Sequence, residues 1–396
     1  MKLTKLILTD SPTVKVSELL KQKFCFLNTR KNNNKKYFIE NQVLNQWLKW
    51  KKSEDQKSIL ALEIGYKDYV IWNMKILKNH QRWLLLSKAC ISGLTHMVNL
   101  ISEGEKEDNC WHHSNIIYGA CRGGNIELVN LVIAKGTYDW NSGLSGACRG
   151  NNLELANLMI TKGADCWQSG MYSACRGGNI ELVNLIINKA DNDNALCNII
   201  FNQGLLGACK GGNLELANLM ITKGARTFNA GLKMACCTDK SRNNNVIELM
   251  IAKGATNWNR GLIQACIYGN EEIIELMISK GANNINDGFK QACGYGNEKI
   301  VKLMISKGAN NFNDCLIRAC SLYSVEIVEL LIARGANNLN EGLTQACLAK
   351  NKEIIELLIA KGANNWNEPQ LRNIMLEIGL NDANLERITN RVCVNY

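Results

Sequence analysis

The sequence is poor in proline and contains no long apolar run. Only two prolines occur among 396 residues, Pro12 and Pro369, so α-helix is permitted almost throughout the chain. No run of 18 or more apolar residues is present, and we therefore expect no membrane span. The apolar stretch within residues 1–10 is also too short for a signal peptide. These absences predict an unexported protein.

Motifs of common catalytic sites are also missing. The chain contains no G-x-x-x-x-G-K-[ST], no H-E-x-x-H and no G-x-S-x-G. Two of the four histidines, His112 and His113, follow Cys110, but no second ligand pair at zinc-like spacing lies nearby. The sequence therefore predicts a protein that is not an enzyme and that has no cofactor and no metal site.

What the chain does contain is an Ala-Cys pair that recurs ten times, mostly at intervals of 27 residues. The alanines of the pairs are Ala89, Ala120, Ala147, Ala174, Ala208, Ala235, Ala265, Ala292, Ala319 and Ala346. A fixed period of this kind indicates a repeat architecture.

One clean repeat, residues 286–309, has the pattern of two short helices. We expect Asn286 to cap the first helix, whose apolar face includes Ala292. Gly296 is expected to end that helix in the left-handed conformation, and Asn297 to cap the second. Neither helix is long enough to be stable alone in water, so each repeat must bury its faces against its neighbours. The pattern predicts an all-α stacked solenoid.

The string Ala-Cys-x-x-Gly-Asn-x-Glu-Ile-(Ile/Val)-x-Leu-(Met/Leu)-Ile-x-Lys-Gly-Ala resembles the ankyrin repeat, with Cys for the second alanine and Asn for the usual histidine. The resemblance covers residues 84–367 and implies an ankyrin-type helix–turn–helix solenoid of about ten repeats. The opening Thr-Pro-Leu-His of the family is replaced by Asn-x-Gly-Leu. The family period is 33 residues, and the shortfall lies after Gly-Ala, so we expect most repeats to lack a full β-hairpin finger.

Three irregularities interrupt the period. The junctions 104–120 and 190–208 are near full finger length, and three extra residues lie in the inter-helix turn around Asp239. The short-finger, Asn- and Lys-rich repeat is similar to ankyrin proteins of giant DNA viruses of amoebae. That resemblance implies host-cell proteins as partners.

In ankyrin proteins the two residues after the Ala-Ala pair commonly face the concave surface and contact partners. Carried over to this chain, these positions are basic in the first half and apolar or aromatic in the second. The candidate partner-binding residues are Arg122, Arg149, Arg176, Lys210, Ile267, Tyr268, Tyr295 and Leu348. The resemblance implies a non-catalytic scaffold that binds partner proteins through its concave face, and the basic stripe suits an acidic surface. The alternative is that the Arg and Lys residues are a solvated face copied by repeat duplication.

The ends of the chain differ from the repeats. Residues 1–80 contain 16 Lys and Arg against 7 Asp and Glu, whereas the other residues contain 30 against 29. This basic region also contains interleaved aromatics, so nucleic-acid binding through residues 1–80 is the alternative function. We favour a cap over the end of the array, because terminal units of solenoids must be atypical. We expect residues 81–367 to form the array and residues 368–396 a C-terminal capping helix.

The 17 cysteines admit a metal or redox interpretation, but their spacing opposes it. No two are spaced C-x-x-C, and stacked helices lie about 8–10 Å apart, whereas a disulfide needs Cα atoms about 4.4–6.8 Å apart. We interpret the Ala-Cys cysteines as small core residues. Their number in an unexported chain indicates a reducing compartment, the cytosol or the nucleus.

Overall fold

The computed structural model describes residues 86–87, 89–93, 98, 114–190, 194–237, 243–322, 324–381, 384–385 and 388. These residues include nineteen α-helices with full bounds and one 3₁₀ helix, and no strand occurs among them. The predicted all-α architecture of helical repeats is confirmed for this part of the chain.

The helices alternate between the first helix of a repeat, called the A helix, and the second, called the B helix. The A helices are α1 (Ser114–Gly123), α3 (Trp140–Arg149), α5 (Trp167–Gly177), α7 (Asn194–Gly211), α9 (Phe228–Ala235), α11 (Trp258–Tyr268), α13 (Ile285–Gly294), α15 (Phe312–Cys320) and α17 (Leu339–Leu348). The B helices are α2 (Ile126–Ala134), α4 (Leu153–Thr161), α6 (Ile180–Ala190), α8 (Leu214–Thr222), α10 (Asn244–Ala252), α12 (Glu271–Ser279), α14 (Glu298–Ser306), α16 (Val325–Ala333) and α18 (Lys352–Ala360). The 3₁₀ helix Asn365–Asn367 and α19 (Pro369–Glu377) follow.

The chain forms two compact units, Met1–Cys166 with α1–α4 and Trp167–Tyr396 with α5–α19. Within each unit, successive A helices pack side by side, and each A helix also packs on the B helix of its own repeat. The Ala-Cys pair of every A helix is buried, as are three or four apolar side chains of each B helix. Each unit therefore has a core built repeat by repeat, as expected for stacked units that cannot fold alone.

The predicted helix ends are confirmed at the turn between the A and B helices. Gly296 has a φ of +71°, which is the left-handed conformation that glycine adopts without strain. Asn297 then caps α14, and its Oδ1 accepts a hydrogen bond from the Ile300 amide at 3.2 Å. Equivalent asparagines cap six other B helices: Asn125, Asn152, Asn179, Asn213, Asn270 and Asn351. Such a cap stabilises a helix by about 1 kcal/mol.

The predicted role of Asn286 as a helix cap is wrong. Helix α13 begins at Ile285, so its cap position is Asn284, two residues before Asn286. The Asn286 side chain accepts a hydrogen bond from the Asn310 amide at 2.9 Å, in the loop that leads to the next A helix. It also donates to the Asn310 side-chain oxygen at 3.0 Å. Asn286 therefore ties its own A helix to the start of the following repeat.

The same bond recurs along the chain as an asparagine ladder of seven residues, six of which are the second residue of their A helix. Its members are Asn141, Asn202, Asn229, Asn259, Asn286, Asn313 and Asn340. Asn202 lies inside the longer α7 rather than at its start, but it makes the same bond, to the Arg226 amide. Each member holds a loop amide 24 to 27 residues later, so the ladder connects the repeats where hairpin fingers are missing.

The junction 190–208, which we expected to have the length of a full finger, is instead largely helical. Helix α7 begins at Asn194 and is 18 residues long, so most of the extra residues extend the A helix. The other long junction, 104–120, lies mostly outside the described residues, because 99–113 are not described. The three extra residues near Asp239 fall in 238–242, which also lie outside them. Among the described helices, none is long and apolar enough to cross a membrane.

We predict that Asn313→Ala lowers the free energy of unfolding by about 1–2 kcal/mol, because two loop amides lose their acceptor. In the native protein these amides, of Asn337 and Asn338, lie 2.7 and 3.3 Å from Asn313 Oδ1. The measurement is the urea midpoint followed by circular dichroism.

The matched control is Asn373→Ala in α19, where the side chain is exposed and makes no hydrogen bond with any described residue. This control should not lose stability, because alanine favours helix. Equal midpoints for Asn313→Ala and the native chain would show that the ladder is not stabilising.

Candidate functional site

The candidate residues lie at the C-terminal ends of the A helices. Arg122, Arg149, Arg176 and Lys210 are in the last turns of α1, α3, α5 and α7. Ile267 and Tyr268 are the last two residues of α11, Tyr295 follows α13, and Leu348 ends α17. Unit Met1–Cys166 thus contains the first two candidates, and unit Trp167–Tyr396 contains the other six. We call the surface formed by these helix ends within each unit the A-helix face.

Three apolar candidates are well exposed on the A-helix face. The exposed fractions are 41% for Tyr268, 60% for Tyr295 and 64% for Leu348. Arg122 is exposed, whereas Arg149, Arg176, Lys210 and Ile267 are half-buried. Exposed tyrosine and leucine side chains that gain burial on binding are frequent anchors at protein interfaces.

Glycines beside the basic candidates allow the A helices to approach each other closely. A Cβ atom added at Gly211, next to Lys210, would lie 2.7 Å from the backbone oxygen of Arg176. One added at Gly207 would collide with the backbone of Tyr172. Gly119, Gly123, Gly146 and Gly150 make the same approach in unit Met1–Cys166. Helix packing therefore explains these glycines without a ligand.

We predict that Gly207→Ala destabilises the chain by about 1–3 kcal/mol, because helices α5 and α7 must move apart to admit the methyl group. The control is Gly342→Ala in α17. A Cβ atom at Gly342 would touch only side chains, the nearest being Cys320 Sγ at 3.1 Å. Thermal unfolding followed by circular dichroism should show a clearly lower midpoint for Gly207→Ala than for Gly342→Ala. The reverse order would contradict backbone-limited packing.

Beyond α11 the A-helix face is formed by larger side chains that pair with one another. Lys290 Nζ lies 3.5 Å from Asp314 Oδ2, and Arg318 donates to Gln291 Oε1 at 3.4 Å. Arg318 also covers Gly294. An open depression of about 380 Å³ lies among these side chains, lined by Lys290, Asp314, Ile317, Arg318, Ser321 and Gln345. The charges in this part of the face are therefore largely satisfied within the chain.

The Ala-Cys cysteines are core residues, as interpreted from the sequence. All of those in the A helices are completely buried, and none forms a disulfide with a described residue. Burial raises the pKa of the thiols of Cys148 and Cys320 from 9.0 to about 12, and that of Cys347 to about 11. No group of three or more His, Cys, Asp or Glu among the described residues is arranged to hold a metal ion. These thiols are protonated at neutral pH and are poor nucleophiles.

Because burial raises these thiol pKa values, we predict that the chain loses stability above pH 9. The unfolded thiols ionise near 9, whereas the folded ones keep their protons to about 12. The contribution is therefore full below pH 9 and falls as pH rises, by at most about 1.4 kcal/mol per pH unit for each thiol. The urea midpoint, measured in reductant at pH 8, 9 and 10, tests this expectation.

The comparison variant is Cys148→Ala/Cys320→Ala, which removes two of the buried thiols. Its stability should fall less steeply between pH 9 and 10 than that of the native chain. Lysine and tyrosine titration is common to both proteins and cancels in the comparison. If the stability of the two proteins fell equally between pH 9 and 10, these two thiols would not contribute to the loss of stability at high pH.

Two residues of the A-helix face were missed by the sequence reasoning, Tyr172 and Lys233. Each lies two residues before an Ala-Cys alanine, one helical turn from the positions carried over from the family. Burial raises the pKa of the Tyr268 hydroxyl, and so do Cys237, Tyr295 and Tyr172, while Arg176 lowers it. Tyr172 and Arg176 belong to α5 and Tyr268 to α11, and α7 and α9 lie between these two helices in the chain. The available signal was the four-residue spacing from Tyr172 to Arg176 and from Lys233 to Cys237, which places each pair on one face of a helix.

Cys237 lies two residues beyond the end of α9 and four residues after Lys233. Burial raises the pKa of its thiol, whereas the charges of Lys210 and Lys233 act in the opposite direction. The Cys237 Sγ atom lies 3.0 Å from Gln264 Oε1 and 3.1 Å from the Lys233 carbonyl oxygen. These two contacts join the end of α9 to α11 through one thiol. The basic region 1–80 and Cys110–His113 lie outside the described residues.

Comparison with known families gives one match. Residues 289–368 match the family model of ankyrin repeats, in three copies. The matched segment runs from within α13 past the 3₁₀ helix and contains Tyr295 and Leu348. Ankyrin repeats generally mediate protein–protein interaction. No curated protein matches the chain.

Proposed function

We propose that this protein is a non-catalytic scaffold that binds partner proteins through the A-helix face, the concave face of the ankyrin-like array. The observation that carries the proposal is the exposure of Tyr268, Tyr295 and Leu348, by 41%, 60% and 64%, at the C-terminal ends of three A helices. Apolar side chains exposed in a row at one face are typical of a protein interface. The match of residues 289–368 to ankyrin repeats supports the same function.

The proposed setting is a reducing compartment, the cytosol or the nucleus. None of the fourteen described cysteines forms a disulfide with another described residue, which supports a setting in which thiols stay reduced. In line with the resemblance to short-finger repeats of giant viruses, the proposed partners are host-cell proteins.

The alternative function is nucleic-acid binding through residues 1–80. It rests on the excess of 16 basic over 7 acidic residues in that region, because phosphate contacts by Lys and Arg produce salt-sensitive affinity. The two functions predict different contact surfaces, so a crosslink placed at a single position can separate them.

We expect a photo-crosslinking amino acid at position 295 of the full chain to capture a discrete set of proteins from cell lysate. Tyr295 is exposed on the A-helix face, so a bound partner should lie within reach of its side chain. The matched position is 302, where Lys302 is exposed on the B helix α14. Crosslinks are identified by mass spectrometry, with and without nuclease.

Protein crosslinks from position 295 but not from 302, retained after nuclease treatment, are the expected result. Leu348→Glu should then reduce them severalfold, because a charge is placed in the apolar contact. Equal crosslinking from 295 and 302 would remove the A-helix face as the binding surface. Crosslinks that disappear with nuclease would favour the nucleic-acid alternative.

A further inference from the structure

One A helix departs from the others at a position that packs on the preceding repeat. From α3 to α17, the residue four positions before each Ala-Cys alanine is glycine, with one exception. The glycines are Gly143, Gly170, Gly204, Gly231, Gly261, Gly288 and Gly342. In α15 the residue is Cys315, which is completely buried. Helix α15 therefore contains a second core cysteine besides Cys320 of its Ala-Cys pair.

The glycine position faces the Ala-Cys thiol of the preceding A helix. A Cβ atom added at Gly288 would lie 2.9 Å from Cys266 Sγ, and one added at Gly342 would lie 3.1 Å from Cys320 Sγ. The same approach is made by Gly231 to Cys209 Sγ, at 3.1 Å, and by Gly261 to Cys236 Sγ, at 3.3 Å. At the equivalent place Cys315 has a Cβ atom of its own, and the thiol that it faces is that of Cys293 on α13.

A disulfide sets this same distance. With an S–S bond of about 2.0 Å, the Cβ atom of one cysteine lies about 3 Å from the Sγ atom of the other. The two thiols already interact, since contact with Cys315 is the largest cause of the raised pKa of the Cys293 thiol, ahead of burial. The Cys315 Sγ atom also lies 3.7 Å from Asn311 Oδ1, a long contact whose loss costs little. The stacking of α15 on α13 therefore brings the pair to bonding geometry.

Packing alone does not explain a cysteine at this place. Leu331 on α16 and Leu358 on α18 occupy equivalent positions, where α14 has Met304. Leucine leaves more room beside the A helix than methionine does. However, the repeat that contains Leu358 keeps a glycine, and a Cβ atom added at Gly342 would lie 3.6 Å from Leu358 Cδ1. The space beside a leucine is therefore not sufficient to account for Cys315.

We propose that Cys293 and Cys315 form a reversible disulfide that joins α13 to α15 when the protein meets a low-molecular-weight disulfide such as glutathione disulfide. One cysteine thiolate attacks the small disulfide and releases one small thiol. The second cysteine then attacks the mixed disulfide and releases the other small thiol. Two S–H bonds of the protein and one small S–S bond break, and one protein S–S bond forms. Both protons and both electrons leave with the two small thiols.

A metal ion fits this pair less well than a disulfide does. A structural zinc site needs four ligands, and no group of three or more His, Cys, Asp or Glu within the described part of the chain is arranged to hold a metal ion. Both side chains are completely buried, so no further ligand can reach them from solvent.

The disulfide would close a loop between residues 22 positions apart. Such a closed loop restricts the unfolded chain and stabilises the folded one. It would also fix α13 to α15, the two helices joined by the Lys290–Asp314 contact. In a reducing compartment the pair stays as thiols. The inference is independent of the proposed binding function.

The test treats the reduced full chain at mildly alkaline pH with mixtures of glutathione and glutathione disulfide, with and without urea below the unfolding transition. Urea makes local opening more frequent and so gives the reagent access to buried thiols. Remaining thiols are alkylated, and the chain is cut with trypsin. Lys299 and Lys307 lie between the two cysteines, so Cys293 and Cys315 leave on different peptides unless a disulfide joins them.

We expect the joined Cys293–Cys315 peptides to exceed any other disulfide within the chain about tenfold or more, and a dithiol reductant to separate them. The thermal midpoint of the oxidised chain, followed by circular dichroism, should rise by several degrees above that of the reduced chain. Cys315→Ala should abolish both effects. The matched control is Cys320→Ala, the same substitution at another completely buried cysteine of α15, which should retain both.

Absence of the joined peptides at every glutathione ratio, with urea and without it, would overturn the proposal. A yield no higher than that of Cys266 joined to Cys293, two Ala-Cys cysteines of neighbouring A helices, would also overturn it. An equal rise of the midpoint in Cys315→Ala would do the same, because the stabilising bond would then lie elsewhere.

Discussion

The close packing of each A helix against the next is the interaction on which the rest of this structure depends. The Ala-Cys pair is buried in every repeat, and glycines in α3 and α7 let backbone approach backbone. Small side chains are required because a helix of about ten residues is marginal alone, so its stability comes from burial against its neighbours. Because these side chains must be buried, the thiols are shielded from water, and this burial raises their pKa values.

The asparagine ladder compensates for short connections. Without a hairpin finger, the loop between repeats has only a few residues and needs partners for its amides. Asn259 holds the amides of both Asn283 and Asn284, at 2.8 and 3.0 Å. A side-chain amide offers an acceptor and two donors, so one residue can fix both the loop and its neighbour's side chain. An aspartate in that position could not donate.

The period of the sequence was sufficient to predict the helices, their caps and the buried cysteines, because those features repeat within a few residues. The role of Asn286 could not be predicted in this way, since its partner Asn310 lies 24 residues away and asparagine is also a good cap. The extension of α7 was missed for a related reason, because length alone does not distinguish a finger from extra helical turns. The placement of the ends of successive A helices beside one another needs the stacking geometry itself, which no single repeat encodes.

Packing and charge are coupled in the second unit. Gly207 and Gly211 bring α7 against α5, and the same approach brings Lys210 near Arg176. The next A helix, α9, has Met234 where α7 has Gly207, and from there on larger side chains occupy the face. The change from glycine to bulky residues therefore separates a closely packed part of the face from a part with larger side chains. On α13 and α15 the charged side chains interact across the face, Lys290 with Asp314 and Arg318 with Gln291, so the repeats are alike in fold but differ in what their A-helix face presents.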